Sequence, residues 1–230
     1  MELSKKYLKV KAYIIGIIAF IILCSFGYIL DNTPDIDLNK KKNKEEEIQY
    51  TVGDDGLTTF YQDDFPDLKY GHYEDGSPKY LPATGCGPTS FSMVASIISG
   101  KIIDPVTVVS WSGDDYYLVG AGTYFSFFQA AADNFDLNCN VLQISPSNQN
   151  TFNLIDESLE KGIPVICSQG PGLFTKGGHF IVIASKDKDG KYHVKDPNKN
   201  NAVNKDYDHR QFEKDEIDST ASLYFIFSPK

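Results

Sequence analysis

Apolar residues recur along this chain in two rhythms. In residues 88–99, Phe91, Val94, Ile97 and Ile98 fall on one helical face, and Gly100 follows as a stop. In residues 151–161, Phe152, Ile155 and Leu159 do the same, with Gly162 beyond. A further helix is predicted over 123–135, with Phe127, Phe128 and Ala131 inward, and a short helical piece over 105–111. Runs rich in β-branched and aromatic residues predict strands over 58–62, 141–144, 164–167, 179–185, 191–195 and 223–227. Residues 63–82 are polar and aromatic, punctuated by Gly and Pro, and read as a loop. Helices come first and antiparallel strands later, which is the α+β pattern, and residues 48–230 read as one domain.

Residues 12–30 follow neither rhythm. They carry no charge and are dominated by Ile, Leu, Phe and Ala all round. At about 1.5 Å per residue, a helix of this length crosses a hydrocarbon core of roughly 30 Å. Lys5, Lys6, Lys9 and Lys11 in the basic segment 1–11, with Asp31 on the far side, orient such a transmembrane anchor. The N-terminus would lie in the cytoplasm and the remainder outside a cell membrane. Two readings compete: a cleaved signal peptide, for which Leu30-Asp31-Asn32 is a poor site, and a lipoprotein, for which Leu23 before Cys24 is too large. Residues 31–47 hold a lysine run and then Glu45, Glu46 and Glu47 without apolar periodicity, and read as a charged, solvated linker.

Composition narrows the classes. With 41% hydrophobic and 23% charged residues, the chain is ordinary for a globular protein. The net charge is −9, and the basic N-terminus makes the rest more acidic still. Such a body repels nucleic acid, and no basic face interleaved with aromatics is visible. Four cysteines in 230 residues are too few for a disulfide scaffold. Cys139 and Cys167 fall in or beside predicted strands. They read as buried free thiols, or as a disulfide if those strands are neighbours.

The candidate chemistry begins at Thr84-Gly85-Cys86-Gly87-Pro88-Thr89-Ser90. With Pro88 as the first helical residue, Cys86 is expected just ahead of a helix N-terminus. There the dipole and unpaired N–H groups favour a thiolate. The flanking glycines would admit a substrate backbone. The plainer alternative is a small buried residue at a tight turn. Of four histidines, His72 and His209 sit in polar loops and His193 alternates within a strand. His179 follows Gly177-Gly178 at the mouth of the apolar strand Phe180-Ile181-Val182-Ile183. If the loop over 186–190 centres between Asp187 and Lys188, His179 directly faces Asp196, with Cβ atoms about 4.5–5.5 Å apart. If the turn is a tight Asp189-Gly190 pair, Asp196 opposes Ile183, roughly 13 Å along the strand from His179.

These residues, in this order, resemble the papain-like cysteine peptidases related to bacteriocin-processing, double-glycine leader peptidases. The closer likeness is to their stand-alone branch, without a transporter. The motifs are Gly85-Cys86-Gly87-Pro88-Thr89-Ser90, then Gly178-His179-Phe180-Ile181-Val182, then Asp196-Pro197, and the likeness covers about residues 57–228. It implies a papain-like fold, N-terminal helices on a C-terminal antiparallel sheet. It also implies Cys86 as nucleophile, His179 as general base and Asp196 as orienting carboxylate. Gln62, in Gln62-Asp63-Asp64 ahead of Tyr70-Gly71, would then line an oxyanion hole with the Cys86 backbone N–H. The implied partner is a peptide or protein substrate, and no cofactor is called for. No CxxC or HxxxH pair supports a zinc site from Cys86, His179 and Asp196. Two other functions share these residues: a catalytically silent binding module, and an amidase or transpeptidase of cell-wall peptides. Trp111, Tyr116, Tyr117 and Tyr124 are candidates for a cleft wall.

Overall fold

The computed structural model describes residues 51–52, 57–143, 150–199 and 211–230. The anchor expected over 12–30 and the segments 1–11 and 31–47 lie outside the described residues. Among those described, no helix is long and apolar enough to cross a membrane.

Gln49–Lys230 make one compact unit. In chain order the strands are β1 (Thr51–Val52), β2 (Thr58–Thr59), β3 (Lys69–His72), β4 (Pro78–Tyr80), β5 (Tyr117–Leu118), β6 (Gly122–Thr123), β7 (Leu137–Gln143), β8 (Val165–Gln169), β9 (His179–Lys186), β10 (Tyr192–Lys195), β11 (Gln211–Phe212) and β12 (Ala221–Pro229). The helices are α1 (Leu81–Thr84), α2 (Cys86–Ser99), α3 (Pro105–Ser112), α4 (Ser126–Asn134), α5 (Asn150–Glu160) and α6 (Lys214–Asp218). The main sheet has six strands in the order β11-β10-β9-β8-β12-β7, and every neighbouring pair is antiparallel. The expected α+β class is therefore the observed one.

Alternation along the central strands explains their unbroken apolar sequences. In β9, Phe180, Val182 and Ala184 join one core, while Ile181 and Ile183 join another. Successive side chains of a strand point to opposite faces, so a sheet covered on both sides needs apolar residues at every position. The first core takes Phe91, Met93 and Val94 of α2, Val108 of α3, and Phe127 and Phe128 of α4. The second takes Phe152, Ile155 and Leu159 of α5 and Ile217 of α6. The helices thus form layers on both faces of the sheet, rather than one group on one side.

Local differences from the sequence reading have local causes. The strand expected over 58–62 stops at Thr59 as β2, and Gln62–Asp64 is a 3₁₀ turn with Asp63 and Asp64 in its first turn. The supposed loop 63–82 contains the β3–β4 hairpin, closed by a turn at Tyr73–Gly76 in which Gly76 adopts φ +80°. Helix α4 starts at Ser126 because Tyr117–Leu118 and Gly122–Thr123 pair as a hairpin instead of joining it. Gly100 closes α2 with φ 64°, as its position suggested.

Cys139 on β7 and Cys167 on β8 are separated by β12, opposite Phe227 and Tyr224 respectively. They belong to opposite cores, and both are free. The disulfide alternative is excluded by that topology.

Aromatic rings dominate the first core. Phe91 meets Phe127, Phe135 and Phe227 at centroid distances of 5.9, 5.6 and 5.6 Å. Trp111 stacks on Tyr116 at 5.6 Å in the same layer, so both are core residues and not a cleft wall. Phe91 is fully buried. Phe91→Ala should destabilise the fold by about 3–5 kcal/mol in denaturant unfolding. A loss under about 1 kcal/mol would contradict this packing.

Candidate active site

Cys86 is the first residue of α2, so the helix starts two residues earlier than expected. Gly85 serves two helices at once. Its N–H donates to the Leu81 carbonyl at 2.7 Å to end α1, and its carbonyl accepts from Thr89 at 3.0 Å to begin α2. Pro88 is then the third helical residue, where its missing N–H leaves no intrahelical bond unmade. Cys86 therefore sits in the ring of unpaired amides at the N-terminus of a fourteen-residue helix.

The glycines around it serve packing rather than substrate approach. A Cβ on Gly85 would lie 2.3 Å from the Leu81 side chain, and one on Gly87 would lie 2.6 Å from Thr123 Oγ1. Thr123 Oγ1 is in turn 2.9 Å from the Tyr70 hydroxyl. The Tyr70 carbonyl accepts from Thr84 Oγ1 at 2.6 Å. The next residue, Gly71, has φ +90° and lies against the Tyr117 ring, and its N–H donates to Asp114 Oδ1 at 2.6 Å. The start of α2 is thereby wedged between the β3–β4 and β5–β6 hairpins.

His179 begins β9 and Asp196 follows the last residue of β10, so antiparallel pairing brings both to the same end of the sheet. Their register matches neither sequence-based alternative. Tyr192 pairs with Lys186 and His193 with Ser185. A bulge then shifts the ladder, pairing Val194 with Ile183 and Lys195 with Val182. Continued, that register carries Asp196 opposite Ile181, two residues from His179. The cause is a five-residue loop from Asp187 to Lys191, in which Asp187 Oδ1 accepts from the Asp189 and Lys191 N–H groups at 2.9 Å each. Diagonal neighbours at this offset lie within reach of long side chains, and the contact is made: His179 Nε2 is 2.8 Å from Asp196 Oδ1. Direct opposition was thus the wrong register for a contact that exists.

The pair is deeply buried, with His179 8% and Asp196 1% exposed. Asp196 Oδ1 also accepts the Asn198 N–H at 2.6 Å. Burial disfavours the imidazolium. Hydrogen bonding to Asp196 and to Cys86, with their charges, favours it more strongly, and the His179 pKa rises from 6.5 to about 10. Cys139, by contrast, is pushed up to about 12 by burial and by Asp133.

Gln62 lies beside this pair and not in a strand. Its backbone N–H donates to the Pro197 carbonyl at 2.7 Å, and its side-chain Nε2 donates to the Pro82 carbonyl at 2.5 Å. It links the turn after Asp196 to the helix that precedes Cys86. Lys199 adds an ion pair to Asp64 across the same seam.

Cys86 and His179 share a cleft of about 230 Å³ with Gly178, Phe180 and Ser168. Its other wall is the β5–β6 region: Leu118, Ala121, Thr123, Tyr124 and Phe125. Tyr124 was the one suggested aromatic that lines it. Leu118 and Phe125 were not foreseen, because a two-strand hairpin of such short strands leaves no periodic signal, and Ser168 was not because β8 runs on past the expected strand 164–167. Among the described residues, no group of three or more His, Cys, Asp and Glu could hold a metal.

A cysteine opening a helix, against a sheet whose end carries a bonded histidine and aspartate, is the arrangement of the papain-like cysteine peptidases. The profile described as the Peptidase_C39 like family matches residues 59–222, and the chain belongs to that family. Two solved structures are similar. The peptidase domain of Streptococcus ComA, a bi-functional ABC transporter involved in a quorum-sensing pathway, aligns at 15% identity with a TM-score of 0.47, over 64% of this chain and 93% of that one. A double glycine motif protease from an AMS/PCAT transporter, in complex with the leader peptide, aligns at 19% with a TM-score of 0.41, over 63% and 84%. No curated protein matches the chain.

The raised His179 pKa has a consequence for stability. The folded state holds a proton that the unfolded state releases near pH 6.5. The stabilisation is therefore complete below that pH and is lost as pH rises towards about 10. An NMR titration of the folded protein should give a His179 midpoint near the upper value, and Asp196→Asn should move it down. A wild-type midpoint near 6.5 would contradict the pairing.

Proposed function

We propose that this chain is a membrane-tethered cysteine peptidase working outside the cell membrane, with Cys86 as nucleophile, His179 as general acid and base, and Asp196 holding the imidazole. The observation that carries the reading is the buried 2.8 Å bond from His179 Nε2 to Asp196, beside a cysteine in the first turn of a helix. With Nε2 held, Nδ1 is left to serve the sulfur.

In this mechanism the Cys86 sulfur attacks the carbonyl carbon of a peptide bond. A C–S bond forms as the carbonyl π pair moves onto oxygen. Gln62 supports the oxyanion together with the Cys86 backbone N–H. A side-chain amide carries two hydrogens, and the Pro82 carbonyl takes one. Collapse breaks the C–N bond, and the His179 imidazolium delivers its proton to the leaving amine. Water then attacks the thioester as His179 takes its proton. The C–S bond breaks, the acid departs, and the thiolate–imidazolium pair is restored. The tether is the uncharged run over 12–30, with its lysines before and Asp31 after.

Cleavage of a peptide library by the full chain tests this. Cys86→Ala and His179→Ala should abolish turnover while circular dichroism stays unchanged. Asp196→Asn should lower kcat by roughly 10²–10⁴-fold, and Gln62→Ala by roughly 10²–10³-fold. Full activity in Cys86→Ala would overturn the mechanism. No turnover in the wild type, with Cys86 alkylated only above about pH 8 like an ordinary thiol, would favour a silent binding module.

A further inference from the structure

The β3–β4 hairpin stands outside the six-stranded sheet, yet it carries a fully buried tyrosine. Tyr70 lies between exposed Lys69 and, past Gly71, half-buried His72. What holds it at that depth is local. Gly71, with φ +90°, lies against the Tyr117 ring, where a Cβ would sit 2.5 Å from a ring carbon. The Gly71 N–H donates to Asp114 Oδ1 at 2.6 Å. The Tyr70 ring then meets Tyr117 edge-on at a centroid distance of 5.8 Å.

From there Tyr70 reaches the chain on both sides of Cys86. Its carbonyl accepts from Thr84 Oγ1 at 2.6 Å, two residues before the thiol. Its hydroxyl is 2.9 Å from Thr123 Oγ1, and that oxygen abuts Gly87, the residue after the thiol. Burial sets the direction of this second bond. A buried phenol that kept its hydrogen from an acceptor would bear the desolvation cost of an unpaired donor, so Tyr70 donates and Thr123 accepts. Burial also pushes the Tyr70 phenol well above its usual range; the bond to Thr123 opposes this, and charge at Cys86 adds to it. Tyr70 therefore keeps its hydrogen at neutral pH.

We propose that Tyr70 is a positioning residue for the nucleophile: by fixing Thr84 and, through Thr123, Gly87, it sets where the Cys86 sulfur stands relative to His179. The inference rests on the peptidase reading and adds to it a residue that does not itself line the cleft. His179 is held separately, by Asp196 at the end of the sheet. Loosening Tyr70 therefore moves the sulfur and leaves the imidazole in place. His179 owes part of its raised pKa to the bond with Cys86 and to its charge, so its titration reports on that displacement independently of turnover.

Tyr70→Phe in the full chain tests this, because it keeps the ring against Tyr117 and removes only the hydroxyl. On a peptide that wild type cleaves, kcat should fall about tenfold or more with KM within about twofold, since a small displacement of a reacting group is costly. The NMR midpoint of His179 should move down at the same time. Thr123→Val should lose as much activity, and Thr123→Ser, which keeps a hydroxyl, should recover most of that loss. The double variant Tyr70→Phe/Thr123→Val should be no slower than either single one, because both remove the same bond. A Tyr70→Phe variant with kcat within about twofold of wild type, or with an unmoved His179 midpoint, would overturn the positioning role and leave the peptidase reading intact. Losses that multiply in the double variant, or a Thr123→Ser as slow as Thr123→Val, would do the same. Absence of turnover in wild type would remove the peptidase reading, and this inference with it.

Discussion

The site depends on a buried ion pair at the end of a sheet. Taking an imidazolium and a carboxylate out of water costs several kcal/mol per ion unless each finds close partners. His179 and Asp196 meet this with a 2.8 Å bond, and Asp196 gains the Asn198 N–H at 2.6 Å. Neither residue could remain charged there if the strands slipped, so the β9–β10 register and its bulge are constrained by electrostatics as well as by core packing. The Gln62 turn is bonded to Pro197. It keeps the segment after Asp196 from fraying, at the place where β10 has already ended.

The thiol is held by a different kind of constraint. Gly85 and Gly87 let α2 begin in contact with Leu81 and Thr123 at distances that no side chain would allow. That contact passes through Thr123 to Tyr70, and from the Tyr70 carbonyl to Thr84. Helix α2 is separately fixed to the sheet, where Ser90 Oγ donates to the Phe180 carbonyl at 3.4 Å. Cys86 is thus positioned by steric closeness and His179 by charge, and Phe180, the residue after the histidine, is where the two supports meet.

What could be read from the sequence follows from how local each signal is. Helices α2 and α5 were legible because Phe91, Val94, Phe152, Ile155 and Leu159 keep a helical period over three turns. The central strands were legible as apolar runs. Cys86, His179 and Asp196 were singled out by motif and order; the structure joins His179 to Asp196, and the family match bears out the resemblance itself. The register was not, because a bulge between His193 and Val194 leaves no trace in apolar alternation. Strand β11 and helix α6 were missed because two and five residues are too few to show a period. Gln62 was read as part of a strand because Thr58, Thr59 and Phe60 before it have strand character; its turn is made by backbone bonds and by the distant Pro82 and Pro197 carbonyls.

The cleft and the core are built from one continuous layer of rings. Phe180, at the base of the cleft, meets Phe128 at 4.8 Å and Phe125 at 6.1 Å, and Phe128 meets Phe225 at 4.2 Å. Substituting Phe180 or Phe128 would therefore alter the cleft only by opening a void in the first core, with the cost of several kcal/mol that such voids carry. Tyr124 and Ala121 carry no such load. Ala121 stands at the turn of a short hairpin, between Gly120 and Gly122 at φ +80° and +91° with open space around both, and Tyr124 follows its second strand. The fold thus separates the two demands on this site. The floor beneath Cys86 and His179 is bound to overall stability, whereas Ala121 and Tyr124 at the rim can change without disturbing the sheet that holds His179 and Asp196.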